Sequence, residues 1–450
     1  MRRLIIMFPC CSRLSAIRPI AAADGGFQMD AELIYLIGLD WAEFALRWLH
    51  VVTAIAWIGS SFYFIALDLG LRKDRTLPDD VHGEEWQVHG GGFYHIQKYL
   101  VAPAALPEHL TWFKWESYAT WLSGFALMVV VYYLGAELYL VDLDKSELPA
   151  WSAILISLGV LAVGWVGYDL LCKSSFGQQT TALMLTLYIV LVIMAYSLDQ
   201  IFTGRAAFLH LGAVTATIMS FNVLVIIIPN QRIVVADLKA GHAPDARYGQ
   251  IAKQRSTHNN YLTLPVIFFM LSNHYPLAYS TDYSWVIAAL VFLMGVSIRH
   301  YFNSRHARQG NPLWTWAITA GLFIAIIILS LLPAFMDKSE AEKTASTKQQ
   351  FTTEQITLAR ADEFEEVRDI VLGRCSMCHA SEPYYERILW PPKGVMLETD
   401  QQIITQAKSI IMQSALSHAM PPANVSYMEP EERRILLRWF TASLSPQAAQ

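Results

Sequence analysis

Eight long apolar segments constrain this chain more than any other feature of its sequence. Charged residues make up only 16% of the chain, against about 25% in an ordinary globular protein. A transmembrane helix needs about 20 mostly apolar residues. The sequence therefore predicts an all-α fold, with a polytopic membrane bundle of about eight transmembrane helices over residues 31–335. The predicted spans are residues 48–70, 118–141, 151–171, 180–198, 206–228, 261–280, 283–302 and 313–334.

Lysine and arginine are distributed unevenly between the loops that join these spans. If the loop after the first span is cytoplasmic, the loops on the opposite side carry only Lys145 and Arg205. Because basic loops stay in the cytoplasm, we expect a bacterial inner-membrane protein with both termini in the periplasm. The net charge is only −5 and there is no basic tract, so we expect no nucleic-acid partner.

The segments that flank the predicted bundle differ from it in composition. Residues 1–30 form an uncertain extension, either a truncated signal peptide or the result of a mis-assigned start, for which Met29 is the favoured alternative. Residues 336–358 are rich in Lys, Glu, Ser, Thr and Gln, which is typical of a flexible, solvated linker. A compact periplasmic domain over residues 359–450 is predicted to follow.

This last domain carries a haem-attachment motif. Cys375, Cys378 and His379 form the pattern C-x-x-C-H, in which two thiols add to one porphyrin and the adjacent imidazole binds its iron. The alternatives are a redox-active cysteine pair and half of a zinc site, but zinc would need a second, suitably spaced ligand pair. We therefore expect one covalent haem c, and its attachment outside the cytoplasm agrees with a periplasmic C-terminus.

The second axial ligand of this haem should lie downstream of the motif. Met420 precedes two prolines and is the first choice, because a thioether raises the potential of the iron and suits an electron acceptor. Helices predicted around residues 362–374 and 430–444 give the domain the pattern of a class I cytochrome c. The rival ligands are His418, Met412 and Met428.

Polar side chains inside a bilayer are costly, so each one is a candidate for function. Three histidines fall near the predicted periplasmic ends of spans, where two of them could bind a b-type haem or form another electron relay. The alternative for each is a packing histidine that has a hydrogen-bond partner. These residues are His50, His210 and His274.

A second polar layer falls toward the cytoplasmic side. Amide side chains present donors and acceptors together, which suits a planar heterocycle with alternating NH and C=O groups, and guanidinium groups could balance an anion. Alternatively, the amides join helices and the arginines only mark the cytoplasmic side. The histidine-rich loop 79–95 could bind a metal, although a solvated loop is the simpler interpretation. The candidates are His258, Asn259, Asn260 and Tyr261, with Asn222 in the preceding span, and the arginines are Arg47, Arg255 and Arg299.

Three short motifs carry a family resemblance. WIGSSFYF at 57–64, HNNYLTLPV at 258–266 and SNHYP at 272–276 resemble the membrane-bound cytochrome c urate oxidases of bacteria, which join eight transmembrane helices to a C-terminal cytochrome c domain. The resemblance implies hydroxylation of urate to 5-hydroxyisourate with oxygen from water. It also implies transfer of two electrons through the haem to a soluble cytochrome c or a terminal oxidase.

Charge and chemistry then suggest roles for the inner layer. His258 is the first choice for the base that deprotonates urate, because a histidine titrates near neutrality. Asn259, Asn260 and an arginine would hold the ring. Two alternatives remain: a cytochrome-fused subunit of another respiratory complex, and a non-catalytic membrane anchor for electron transfer. The polar inner layer favours substrate access from the cytoplasm.

Overall fold

The protein is described from a computed structural model, which is mostly helical. It describes residues 31–73, 77–99, 106–142, 145–146, 148–279, 281–335, 353–385, 388, 391–416 and 418–443. The predicted N-terminal extension 1–30 and most of the predicted linker, 336–352, lie outside these ranges.

The first part of the chain contains ten α-helices and one hairpin among its described residues. They are α1 (Ala31–Gly70), β1 (Val81–His89), β2 (Gly92–Tyr99), α2 (Trp115–Met128), α3 (Ala136–Tyr139), α4 (Ala150–Lys173), α5 (Thr180–Asp199), α6 (Gly204–Phe221), α7 (Ile228–Lys239), α8 (Ala246–Ser272), α9 (Ser284–His306) and α10 (Trp314–Phe335). Two π-helical turns, Val129–Tyr133 and Asn222–Ile227, continue α2 and join α6 to α7.

Six helical segments are long and apolar enough to cross a membrane, which confirms a multi-pass membrane protein. These segments are Ile37–Gly70, Ala150–Lys173, Thr180–Asp199, Gly204–Lys239, Ser284–His306 and Trp314–Leu332. The other two predicted spans coincide with α2, which has 14 residues before its π-helical turn, and with α8, whose first half is polar. The count of eight spans therefore stays a prediction.

Helices α8 and α9 pack closely where a proline faces a glycine. Pro265 lies inside α8, where it removes one backbone hydrogen bond. A Cβ atom on Gly295 of α9 would lie 2.5 Å from Cδ of Pro265, so only glycine fits there. Small residues of this kind let helix backbones approach each other in membranes, and this contact holds α8 with its polar residues against α9.

The hairpin β1–β2 departs from the all-α prediction. Its strands are antiparallel, and the turn between them has Gly90 and Gly91 at φ values of 58° and 81°, as a two-residue hairpin turn requires. His95 pairs with Glu84 across the strands and stacks on Trp86. The described residues hold no group of three or more histidine, cysteine, aspartate or glutamate side chains placed for a metal ion.

The C-terminal part forms a second hydrophobic core. Its elements are α11 (Thr353–Arg360), α12 (Phe364–Arg374), α13 (Asp400–Thr405), α14 (Ala407–Ile410), a π-helical turn (Ile411–Leu416) and α15 (Pro430–Ser443). The predicted apolar face of α15 is buried, and Nε1 of Trp439 donates to the carbonyl oxygen of Leu358, 3.0 Å away. Because Leu358 lies in this core, the folded part begins at α11, inside the predicted linker.

We predict that Trp439→Ala weakens this second core, because a fully buried indole is removed together with its hydrogen bond. The expected loss is about 3–5 kcal/mol of unfolding free energy. Amide hydrogen exchange of α12 and α15 in the full chain measures it as faster exchange. Arg438→Ala changes an exposed residue of the same helix and should leave exchange as in the parent protein. Equal protection of the α12 and α15 amides in both variants would contradict the role of Trp439 in stabilising this core.

Candidate functional site

Three helices bring the predicted inner polar layer together around Tyr168. Its hydroxyl oxygen lies 2.8 Å from Nδ1 of His258 and accepts from Nδ2 of Asn222 at 3.0 Å. The same Nδ2 also donates to Oδ1 of Asn259 at 2.9 Å, and Nδ2 of Asn259 donates to the carbonyl oxygen of Met219 at 2.9 Å. Helices α4, α6 and α8 are therefore joined by one buried network that includes His258 and Asn259.

Asn222 reaches this network from a π-helical turn. The turn begins at Asn222 and ends at Ile227, and single π-helical turns inside α-helices occur frequently at functional sites. The turn shifts the register of the chain between α6 and α7, and the Asn222 side chain is fully buried.

Arg255 bounds the cluster on the side of the N-terminal half of α8. Its guanidinium donates from Nη2 to Oδ1 of Asp169 at 2.8 Å and lies 4.9 Å from the ring centre of Tyr168. Arg255 is only 2% exposed, so the pairing with Asp169 offsets the cost of burying its charge. Lys173 binds the other carboxylate oxygen of Asp169 at 2.6 Å.

Asn260 faces the opposite side, toward α9. Its Oδ1 accepts from Nε of Arg299 at 3.0 Å and from Nδ2 of Asn303 at 3.1 Å. The guanidinium carbon of Arg299 lies 4.1 Å from the ring centre of Phe62, which belongs to the aromatic motif of α1. Tyr261 is half-buried beside Arg299. The motifs of α1 and α8 thus meet at Arg299.

Several polar atoms of this inner cluster have no hydrogen-bond partner. They are Oδ1 of Asn222, Nδ2 of Asn260, and Nε and Nη1 of Arg255, all buried. Buried polar atoms are nearly always bonded, and an unbonded one needs an explanation. A polar ligand with both N–H and C=O groups could satisfy the free acceptor of Asn222 and the free N–H groups of Asn260 and Arg255.

A separate cavity of about 220 Å³ lies at the other end of the bundle. This outer cavity is bounded by α1, α2, α6 and the end of α8, and its lining is mainly apolar. The polar side chains in its wall include Arg47, His50, Arg205, Asn273 and His274. The structure therefore places two of the three predicted outer histidines at one cavity.

The third outer histidine, His210, lies elsewhere and is satisfied by protein groups. Its Nε2 lies 2.6 Å from Oγ of Ser157, and its Nδ1 lies 2.7 Å from the carbonyl oxygen of Ala206. The ring stacks on Phe202 and is fully buried. With both nitrogens engaged, His210 matches the packing alternative and offers no free nitrogen to an iron.

The three predicted arginines are also divided between the two layers. Arg47 pairs with Glu43 at 2.5 Å and lines the outer cavity, whereas Arg255 and Arg299 belong to the inner cluster. The sequence analysis missed Tyr168, Asp169 and Asn303. Asp169 had a readable signal, since a carboxylate at the end of an apolar span needs a cationic partner.

The C-x-x-C-H motif follows directly after α12. Nδ1 of His379 lies 2.9 Å from the carbonyl oxygen of Val395, and donation to that oxygen leaves Nε2 free to bind a metal. Burial raises the pKa of the Cys375 thiol to about 12. A redox-active cysteine pair instead needs an exposed thiol of low pKa. The motif formed by Cys375, Cys378 and His379 therefore fits haem attachment better than thiol redox chemistry.

Arg433 fixes the loop that carries Met420. Its Nη1 donates to the carbonyl oxygens of Ser414 and, at 2.9 Å, of Met420, and its Nη2 donates to Oδ1 of Asn424 at 3.2 Å. Met420 itself is half-buried. The rival Met428 is only 2% exposed and belongs to the hydrophobic core, which favours Met420 as the residue free to bind iron.

The sequence profile of the family described as "Urate oxidase N-terminal" matches residues 36–330, a range that contains both polar layers. No curated protein and no solved structure matches the chain.

We predict that Tyr168→Phe destabilises the bundle, because the variant leaves Nδ2 of Asn222 and Nδ1 of His258 without a shared partner. Loss of one buried partner costs about 1–3 kcal/mol. Thermal unfolding of the full chain in detergent measures the effect. Tyr196→Phe, at a half-exposed position, is the matched control. A midpoint equal to that of the control would mean that the hydroxyl contributes nothing to the network.

Proposed function

Since the chain belongs to the urate oxidase N-terminal family, we propose that it is a membrane-bound oxidoreductase that hydroxylates urate to 5-hydroxyisourate. The observation that carries the proposal is the set of unpartnered buried polar atoms in the inner cluster. Urate presents N–H donors and C=O acceptors around a flat ring, and it is an anion at neutral pH. The cluster offers it an acceptor, several donors and positive charge.

The reaction balances without molecular oxygen. Urate and one water molecule give 5-hydroxyisourate, two protons and two electrons. One C–O bond forms at C5 of urate, one proton leaves the water and one leaves the purine. The electrons would leave one at a time, to a one-electron acceptor.

Substrate binding is assigned to the unpartnered atoms. Oδ1 of Asn222 would accept from an N–H group of urate, and Nδ2 of Asn260 would donate to a carbonyl oxygen. The free N–H groups of Arg255 would donate to the anionic edge, since its third nitrogen is already held by Asp169. Charge-assisted hydrogen bonds of this kind are the strong ones. Arg299 holds Asn260 in position.

Proton transfer is assigned to His258. When its Nδ1–H donates to the Tyr168 oxygen, Nε2 carries the lone pair and can take a proton from urate or from the attacking water. Tyr168 and Asn222 hold the ring in this orientation. Asn259 acts through Asn222, because it accepts from the same amide.

One covalent haem c is assigned to the C-terminal domain. Cys375 and Cys378 would bind the porphyrin, and His379 and Met420 would bind the iron. Bound there, the haem supplies a one-electron acceptor, so each turnover reduces it twice. The Val395 carbonyl oxygen orients His379, and Arg433 holds the Met420 loop.

The charge distribution supports a location in a bacterial inner membrane. With eight spans the C-terminal domain lies in the periplasm, and the inner cluster lies toward the cytoplasm. Urate would then enter from the cytoplasmic side. The electrons would leave from the periplasmic side to a soluble cytochrome c or a terminal oxidase.

We predict that urate alone reduces the c-type haem in anaerobic membranes that contain the full chain, as followed by the haem α-band. Xanthine, which lacks the C8 oxygen, should reduce it far less. In ¹⁸O-labelled water the 5-hydroxyisourate should carry the label. Reduction by a quinol but not by urate would indicate a subunit of another respiratory complex. No reduction by either donor, with haem present, would indicate an electron-transfer anchor.

We predict that His258→Gln lowers kcat for urate by about 10²–10⁴-fold, the usual contribution of a general base. The reason is that glutamine keeps an amide near Tyr168 but cannot accept the proton. Turnover is measured as urate-dependent haem reduction at equal haem c content. His242→Gln changes an exposed histidine in the loop between α7 and α8 and should keep full activity. An unchanged kcat in H258Q would remove His258 from proton transfer.

A further inference from the structure

We propose that the outer cavity is the binding site of a second, non-covalent haem of b type, with His50 and His274 as its iron ligands. The residues of the cavity wall support this site whether or not urate is the substrate. Only the relay role described below rests on the proposed function.

The composition of the wall favours a porphyrin over urate. Most of the lining is apolar and includes Trp57, Trp121 and Phe125, while the charged groups are few. A porphyrin has a large apolar face and only two carboxylates, whereas urate is polar along every edge.

His50 is oriented as a ligand for a metal. Its Nδ1 lies 3.0 Å from the carbonyl oxygen of Thr120 and 3.3 Å from Oγ of Ser123. Donation to the carbonyl places the proton on Nδ1 and the lone pair on Nε2. Metal-binding histidines commonly have this second hydrogen bond, which fixes both tautomer and ring.

The neighbouring helix leaves space for this ring. A Cβ atom on Gly124 would lie 2.7 Å from Cε1 of His50 and 3.0 Å from its Nδ1. Any other residue at this position of α2 would displace the imidazole. Gly124 therefore leaves room for the His50 ring, in addition to allowing α1 to pack on α2.

His274 lies on the turn after α8, and that turn is held by a buried amide. Oδ1 of Asn273 accepts from the hydroxyl of Tyr132 at 2.7 Å and from Nε of Arg205 at 3.3 Å. His274 is exposed and lines the same cavity as His50.

Two arginines in the cavity wall match the two carboxylates of the porphyrin. Arg47 lies one turn before His50 on α1, and Arg205 begins α6. The guanidinium of Arg205 lies over the rings of Tyr132 and Tyr139, at 5.9 and 5.1 Å from their centres. These contacts hold the positive charge at the end of the cavity near His274.

The cavity also lies beside the part of the C-terminal domain that positions His379. The short helix Pro276–Ala278, two residues beyond His274, contacts the short helix Pro392–Gly394. Val395 comes next, and its carbonyl oxygen binds His379. A haem in the outer cavity would take each electron released in the inner cluster, cycle between ferric and ferrous iron, and pass the electron to haem c.

The test counts the haems of the purified full chain by the pyridine haemochrome method. The expected result is one b-type haem for each c-type haem, with the ferric low-spin signature of two imidazole ligands in electron paramagnetic resonance. His50→Ala and His274→Ala should each lose the b-type haem or its signature and retain haem c. His89→Ala, an exposed hairpin histidine, should keep both haems.

The result that overturns the proposal is a full chain that contains haem c and no b-type haem, or unchanged b-type haem in both variants. If His50→Ala does not accumulate, Gly124→Val tests the same ligand, because the new side chain displaces the ring. Retention of the b-type signature in that variant counts against His50. A b-type haem without urate-dependent reduction would reject the proposed function alone, and urate reduction without a b-type haem would reject this site alone.

Discussion

The cost of placing polar groups in a bilayer organises the membrane part of this protein. The carboxylate of Asp169, at the end of the apolar α4, needs a cationic partner, and Arg255 meets that need at 2.8 Å. The pair joins α8 to α4, and the bond between Tyr168 and His258 joins the same two helices at a second point. Once these helices are fixed, four buried polar atoms of the cluster remain without a hydrogen-bond partner, and in the proposed function these atoms bind urate.

The same constraint explains why residues of one type have different roles. His210 and His50 are both histidines near one end of the bundle. His210 has Ser157 and Ala206 at its two nitrogens, so its burial is compensated within the protein. His50 has Thr120 and Ser123 at one nitrogen only, and its other nitrogen is left for an atom that the chain does not supply. A packing histidine has hydrogen-bond partners at both ring nitrogens, whereas a candidate ligand has a partner at only one. This difference cannot be read from the sequence.

Most of the helices could be predicted from the sequence because apolar length is a local property, which composition alone reveals. The hairpin could not be predicted in this way, because its strands carry similar numbers of polar and apolar residues. The paired glycines of its turn were the only clear indication of it in the sequence. Within the inner cluster, His258, Asn259 and Asn260 were identified because they share one motif. Their partners Tyr168 and Asn303 come from other helices, and a contact between distant segments depends on helix packing. The same holds for the C-terminal domain. The motif predicted Cys375 and His379, whereas the contacts of Val395 and Arg433 could be identified only from the fold.

The two layers of the bundle differ in chemical character. The inner cluster is polar, buried and partly unpartnered, which suits a small polar substrate whose own groups complete the hydrogen bonds. The outer cavity is apolar with a few charges at one end, which suits a large flat cofactor. In the proposed reaction, oxidation at the first site releases protons and electrons together, and the bilayer core is a poor medium for either. His258 would accept the proton beside the oxidised ring, whereas the electrons would travel along the bundle to the haem held by His379. A chain that needed only to anchor a cytochrome would have no use for a second polar layer, so the separation of the layers is itself an argument for chemistry at one end and electron transfer at the other.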